Sequence, residues 1–233
     1  MMNNSTSSDA RTAQPSPNWR GGFWSLIVTQ FQTGFNDNGL KYLVIYLIIG
    51  MNLPQARRDS LVPIVGALFA IPFILFSMTG GYFADRFSKR SVTIGTKFLE
   101  IGVMAFFIVG LAMRSLPMEC AGVFLISTEG ALFGPSKYGL LPELLPEKRL
   151  SWGNGIMEFG TFLAGIGGTV AAGELAERFQ GREIVAGFLL LACSLIGLVT
   201  SLGISKIPAA NPAKKFRWNP LGDFLTQDRK SVV

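Results

Sequence analysis

Four stretches of this sequence set charged or amide side chains inside long apolar runs, where such groups are costly. Asn36, Asp37 and Asn38 are followed by Lys41; Lys97 and Glu100 stand three residues apart; Glu129 precedes Lys137; Asn154 and Glu158 stand four apart. The i, i+4 spacing puts Asp37 and Lys41 on one helical face, and Gln30 and Gly34 extend that stripe. An ionised residue at a bilayer centre costs about 2.5 to 3.5 kcal/mol on insertion scales. A polar stripe on an apolar helix should therefore face a bundle interior or an aqueous cavity. Groups so placed either bind a polar ligand or lock helices together as internal ion pairs. For Lys97 with Glu100 the locking role and snorkelling of Lys97 to the interface both fit. Glu174 falls near a span end and reads as interfacial. The sequence has no histidine, which excludes His-based general-base catalysis, His triads and His-ligated metal within these residues. Cys120 and Cys193 sit far apart in or beside apolar runs, without metal-ligand spacing. A buried structural role fits them. No catalytic residue, metal site or cofactor is expected, and the chain does not read as an enzyme.

The elements that must hold these groups are membrane helices. Of 233 residues 49% are hydrophobic and 15% charged, against roughly 25% charged in a soluble domain, and the mean hydropathy is +0.39. The net charge of +6 is spread between apolar segments instead of forming one basic patch, so it reads as a topology signal and not as a nucleic-acid footprint. Residues 1–20 read as a disordered cytoplasmic leader, residues 21–204 as a six-helix transmembrane bundle, and residues 205–233 as a cytoplasmic linker. The spans are expected at about 22–50, 61–83, 91–113, 118–141, 150–176 and 184–204. Polar loops over 52–60 and 142–149 separate some of them. Pro63 and Pro72 are compatible with a membrane helix because neighbours satisfy the freed backbone groups. Lys and Arg concentrate in the leader, the turn around Arg86, Lys89 and Arg90, the turn at Lys148 and Arg149, and the tail. That asymmetry places both termini in the cytoplasm. Gly160, Ala164, Gly168, Ala172 and Ala176 repeat every four residues, a pattern that lets helix backbones approach closely. Gly165-Ile166-Gly167-Gly168 is no nucleotide loop, since no lysine follows and it lies within a span.

Two sets of residues carry a family resemblance. Gly81-Tyr82-Phe83-Ala84-Asp85-Arg86-Phe87-Ser88-Lys89-Arg90 resembles the cytoplasmic signature of the major facilitator superfamily, with Ser88 replacing that pattern's second glycine. Phe35-Asn36-Asp37-Asn38-Gly39-Leu40-Lys41 is similar to the first-helix motif of bacterial lysophospholipid transporters. Gly134-Pro135-Ser136-Lys137-Tyr138-Gly139-Leu140-Leu141-Pro142-Glu143-Leu144, followed by Asn154-Gly155-Ile156-Met157-Glu158, is similar to that family's segment joining helices four and five. The resemblance runs over about 22–220 and covers the amino-terminal half of such a transporter. It extends to the transporter portion of fusions with a phospholipid acyltransferase and an acyl-carrier-protein synthetase.

The resemblance implies an all-α membrane protein, one half of a major facilitator fold, that moves lysophospholipids across the bacterial inner membrane by alternating access. Its partners would be membrane lipids, a lysophospholipid substrate and a second six-helix half, with no nucleic acid. Asp37 would line the central cavity. Asn38, Lys41, Glu129, Lys137, Asn154 and Glu158 would complete the substrate contacts. Gly81, Asp85, Arg86, Lys89 and Arg90 would form a latch holding one transporter state. A complete transporter of this kind places its cavity between two halves, so these residues alone do not enclose a path. A proton-coupled carrier of small solutes, titrating Asp37 or Glu129, and a non-transporting membrane anchor of an acyltransferase are the alternative readings. In isolation the half is expected to expose polar faces on its first and fourth spans and so to dimerise or aggregate.

Overall fold

A computed structural model describes residues 19–209 and 211–212. Six long helices run antiparallel: α1 (Trp19–Gly50), α2 (Gln55–Arg86), α3 (Lys89–Ala112), α4 (Leu116–Leu144), α5 (Leu150–Arg178) and α6 (Glu183–Leu202), with one 3₁₀ turn (Glu147–Arg149) before α5. Residues 1–18 of the expected leader and most of the linker (213–233) lie outside the described residues; Trp19 and Arg20, expected in the leader, open α1.

Length and apolarity suffice to cross a membrane in five of the six helices, α2 to α6. α1 is long enough at 32 residues, but Gln30, Gln32, Asn36, Asp37, Asn38 and Lys41 interrupt it. It is the most enclosed element, packed against α5, α6, α4 and α2. A helix sheltered by four neighbours can carry polar groups that a lipid-facing helix cannot.

α2 begins at Gln55, within the expected loop 52–60, and α4 continues to Leu144, past Pro142. Proline at the start of a helix loses no intrahelical bond, and Pro54 stands just before α2. Pro63 and Pro72 stay inside α2.

The core is layered along the bundle. One apolar cluster, including Leu40, Leu43, Val44, Phe107, Val123 and Leu190, fills the end where α1 meets α2. A second, including Phe23, Leu26, Phe133, Leu141, Met157 and Ile204, fills the end near Trp19. Between them α1 buries Thr29, Gln30, Gln32, Thr33, Asn36 and Asp37. α3 adds Lys97 and Glu100, α4 adds Glu129, and α6 adds Ser194. A polar layer thus lies between two oily ones, at the depth where charge is hardest to solvate.

The expectation of exposed polar faces on the first and fourth spans is overturned. Gln30, Gln32 and Asn36 of α1 and Glu129 of α4 turn inward, where Glu100, Thr161 and Ser194 meet the three amides, while Asn38 is half-buried. The outward surface is apolar, and it is widest on α2 and α5. Only 11% of the apolar stretch of α2 is buried, against 44% for α3 and α4. Phe159, Phe162, Leu163, Ile166 and Val170 form an exposed stripe along α5.

Candidate functional site

The centre of the polar layer is Glu100, which α3 points between α1 and α6. Its Oε1 accepts hydrogen bonds from Gln32 Nε2 (2.7 Å), Asn36 Nδ2 (2.8 Å) and Ser194 Oγ (2.8 Å). Its Oε2 pairs with Lys97. Lys97 in turn donates to Thr33 Oγ1 (2.6 Å) and Gln32 Oε1 (3.2 Å). Three partners exhaust the three hydrogens of an ammonium. Both side chains are completely buried. A buried pair offsets its desolvation only when its other valences are filled, and here they are. Gly197 of α6 leaves the space that Gln32 occupies: a Cβ there would collide with Gln32 Oε1.

Glu129 and Asp37 are placed differently. Glu129 Oε1 lies 3.8 Å from Lys97 Nζ, close enough for charge attraction but not for a hydrogen bond. Thr96 and Lys97 are the donors nearest to Glu129, yet at hydrogen-bond distance neither of its oxygens has a partner, because the Thr96 hydroxyl donates to the Thr93 carbonyl (2.9 Å) and the Lys97 ammonium is taken up by Glu100, Thr33 and Gln32. Asp37, 7% exposed, has an Oδ1 without a partner. Its Oδ2 sits over Gly130 of α4, where a Cβ would come within 3.2 Å, beside the Phe73 ring at 3.3 Å. Asp37 is within electrostatic reach of Glu129, Glu100, Lys97 and Lys137. One ion pair is therefore fully satisfied, and two carboxylates beside it retain unfilled acceptors.

The remaining candidates form two further groups. Lys41 does not close on Asp37. Its Nζ donates to Asn38 Oδ1 (3.1 Å) and lies 4.5 Å and 4.3 Å from the ring centroids of Tyr42 and Phe69, while Asn38 Nδ2 donates to the Gly34 carbonyl (2.9 Å). Aromatic faces stabilise a cation whose charge would otherwise meet lipid. Asn38 and Tyr42 border an open groove of about 470 Å³ against Thr161, Gly165 and Thr169 of α5. Lys137, buried, lies 4.7 Å from the Tyr138 ring centroid, and Tyr138 Oη donates to Glu158 Oε1 (2.8 Å). This links α4 to α5 on the exposed side. Asn154 is exposed, and no hydrogen bond to it is seen.

Of the residues grouped as a latch, Lys89 is buried and pairs with Glu143 at the end of α4. Arg90 donates from Nε to the Ile204 carbonyl (2.6 Å) and from Nη2 to the Leu202 carbonyl (2.9 Å), satisfying the end of α6. Arg86 bonds to Tyr82, and the Asn211 amide donates to the Asp85 carbonyl (2.8 Å). The Gly81 α-carbon faces open space. The basic turn thus ties α3, α4 and α6 together within this bundle.

Gln32, Thr33 and Ser194 are absent from the sequence-derived site; of the two readings of Lys97 with Glu100, the fully buried pair fits the locking role, and Lys97 does not snorkel. The signal for Gln32 was its place one turn before Asn36. Ser194 carried none, since a serine in an apolar helix is common packing.

A six-helix half-bundle with a buried, charged mid-depth layer is the architecture of membrane carriers built from repeated halves. The Major Facilitator Superfamily profile matches residues 21–228, and this chain belongs to that superfamily. It is 31% identical over 206 residues to the lysophospholipid transporter LplT of Klebsiella pneumoniae subsp. pneumoniae, covering 86% of this chain and 47% of that protein. LplT of Salmonella newport is 31% identical over 200 residues, covering 85% and 46%. The chain spans about half the length of these curated relatives. Among solved structures, a peptide transporter POT in complex with sulfate superposes with a TM-score of 0.65 at 18% identity, over 91% of this chain and 43% of that one. A POT family transporter in complex with 5-aminolevulinic acid also gives 0.65 at 18%, over 91% and 45%. At that identity the likeness is one of fold.

Proposed function

We propose that this chain is one half of a lysophospholipid transporter of the bacterial inner membrane, working by alternating access with a second six-helix half. The observation that carries the reading is the pair of unfilled carboxylates, Asp37 and Glu129, beside a fully satisfied Lys97–Glu100 pair. A buried carboxylate that receives no hydrogen bond is expensive. A cationic headgroup or a proton arriving at mid-depth would relieve that cost. The likeness to the LplT proteins supports an ammonium-bearing lysophospholipid as the cargo. The apolar faces of α2 and α5 supply the surface for the second half, and the groove beside Asn38 opens on the same side as the exposed α5 stripe. The distribution of Lys and Arg supports cytoplasmic termini, and Asp37, Asn38, Lys41, Glu129, Lys137, Asn154 and Glu158 are the proposed substrate contacts. Gly81, Asp85, Arg86, Lys89 and Arg90 are proposed to set the stability of one conformational state, through the ties of Lys89 and Arg90 just described.

The test is transbilayer movement of fluorescent lysophosphatidylethanolamine in vesicles containing this chain joined to a second six-helix half. Movement well above that in protein-free vesicles, and slower for a diacyl phospholipid, is the expected result. Equal rates with and without protein would overturn the reading.

A further inference from the structure

At the end of the bundle opposite Trp19, the tips of α1, α3, α4, α5 and α6 surround a half-open cavity of about 250 Å³. It lies far from the polar layer: Glu119 and Glu129 are ten residues apart on α4, about 15 Å along the axis. Its wall carries charge of both signs. Glu119, from the first turn of α4, is 3% exposed, and its Oε2 has no hydrogen-bond partner. Glu183, from the first turn of α6, faces the same cavity with one oxygen accepting from the Gly181 amide (2.7 Å). Arg114 lines it from the α3–α4 turn and Tyr46 from α1.

The backbone at Arg114 is unusual. Its φ is +51°, and it is the only non-glycine residue with positive φ among those described. The Arg114 amide donates to the Leu111 carbonyl and the Ser115 amide to the Gly110 carbonyl. These bonds close α3 with the turn that ordinarily takes glycine at its left-handed position. An arginine there costs conformational energy that glycine would not. Yet it puts an arginine, exposed to solvent, on the lining of a cavity that also holds a buried carboxylate in want of a donor.

We propose that this cavity receives an aminoalkyl phosphate headgroup, the ammonium between Glu119 and Glu183 and the phosphate against Arg114. The pattern matches a zwitterion: a cation donates to a carboxylate with an empty acceptor, and a guanidinium suits phosphate oxygens. The volume equals about eight waters, enough for a headgroup of that many heavy atoms and too small for an acyl chain as well. The site rests on the lipid-transporter reading for its natural ligand, and it adds a first binding station separate from Asp37.

Calorimetric titration of the whole chain in detergent tests it, with phosphoethanolamine, lysophosphatidylethanolamine and lysophosphatidylglycerol as the probes. The two ethanolamine compounds should bind at least tenfold more tightly than the glycerol one. Binding by free phosphoethanolamine would mark a site for the headgroup alone; binding confined to the lysolipid would mark a membrane-borne ligand. Either supports the site. E119Q and E183Q should each weaken ethanolamine binding about tenfold. Arg114→Gly puts the favoured residue at the left-handed position and so keeps the fold. It should weaken phosphoethanolamine binding at least fivefold while leaving that of ethanolamine within twofold. Equal affinity for all three probes, no binding of the ethanolamine compounds, or insensitivity to Arg114→Gly would overturn the proposal. If vesicles still move lysophosphatidylethanolamine while the titration fails, this site alone is refuted. If nothing moves, the transporter reading falls with it.

Discussion

Glu100 and Asp37 are both acids in the middle of a membrane bundle, and their surroundings predict opposite responses to substitution. Glu100 accepts three neutral donors and an ammonium. Glu100→Ala strands Lys97 and three donors in a dry interior, and breaking such a buried pair costs about 3 to 5 kcal/mol. Thermal unfolding in detergent should show a large loss, with poor recovery of folded protein. Asp37 has one oxygen without a partner, so Asp37→Asn removes charge without orphaning a donor. Its unfolding temperature should stay level or rise. A comparable loss for both variants would mean that Asp37 has a structural partner after all. The sequence announced Asp37, because three consecutive amides and acids in an apolar run are conspicuous. It did not announce the Glu100 network, whose members come from three helices. Which helix faces which is set by packing across the bundle, and a serine such as Ser194 gains its meaning only from that arrangement.

Helices were legible where composition alone decides. All six apolar segments are helical, and α3, α5 and α6 begin and end within about two residues of expectation. α2 was misjudged at its start, since the charged segment Gln55–Ser60 is helical, and charge does not prevent helix formation outside the bilayer core. The small-residue stripe of α5 was also visible, but its parts are unequal. At Gly168 a Cβ would run into the Phe35 carbonyl of α1, whereas at Gly160 no atom of another element lies within 4 Å. Ala164 and Ala172 are buried on the same face. Gly168→Leu should therefore force α1 and α5 apart and cost about 1 to 3 kcal/mol. Gly160→Leu should leave stability within about 0.5 kcal/mol. Paired melting curves distinguish these outcomes, and equal effects would contradict the close approach of α1 and α5 at Gly168.

As a whole molecule the bundle leaves two demands unmet: hydrogen-bond donors for Asp37 and Glu129 inside, and cover for apolar side chains outside. The Lys97–Glu100 network is closed, while outside the bundle the unmet demand is for cover over the apolar surfaces, widest on α2 and α5. Ile74 of α2 is 79% exposed and Phe162 of α5 is 71% exposed. A second half laid over these surfaces would bury both. Single cysteines at these positions should cross-link to the second half in membranes, with the chain alone forming dimers or larger species in detergent. A monodisperse monomer whose Ile74→Cys variant forms no cross-link would show that lipid, not protein, covers these surfaces. The sequence resemblance reached the correct architecture, yet it assigned exposed polarity to the first and fourth spans. That expectation failed because amphipathicity shows which residues share a face and not what the face meets.

The central claim is that the unfilled carboxylate of Asp37 works on cargo and does not hold the fold. Lysophosphatidylethanolamine movement in vesicles, with this chain joined to its second half, measures it directly when Asp37→Ala is compared with the unaltered protein at equal folded content. A rate at least tenfold lower, with unfolding temperature unchanged, is the predicted result. An unaltered rate would contradict the account.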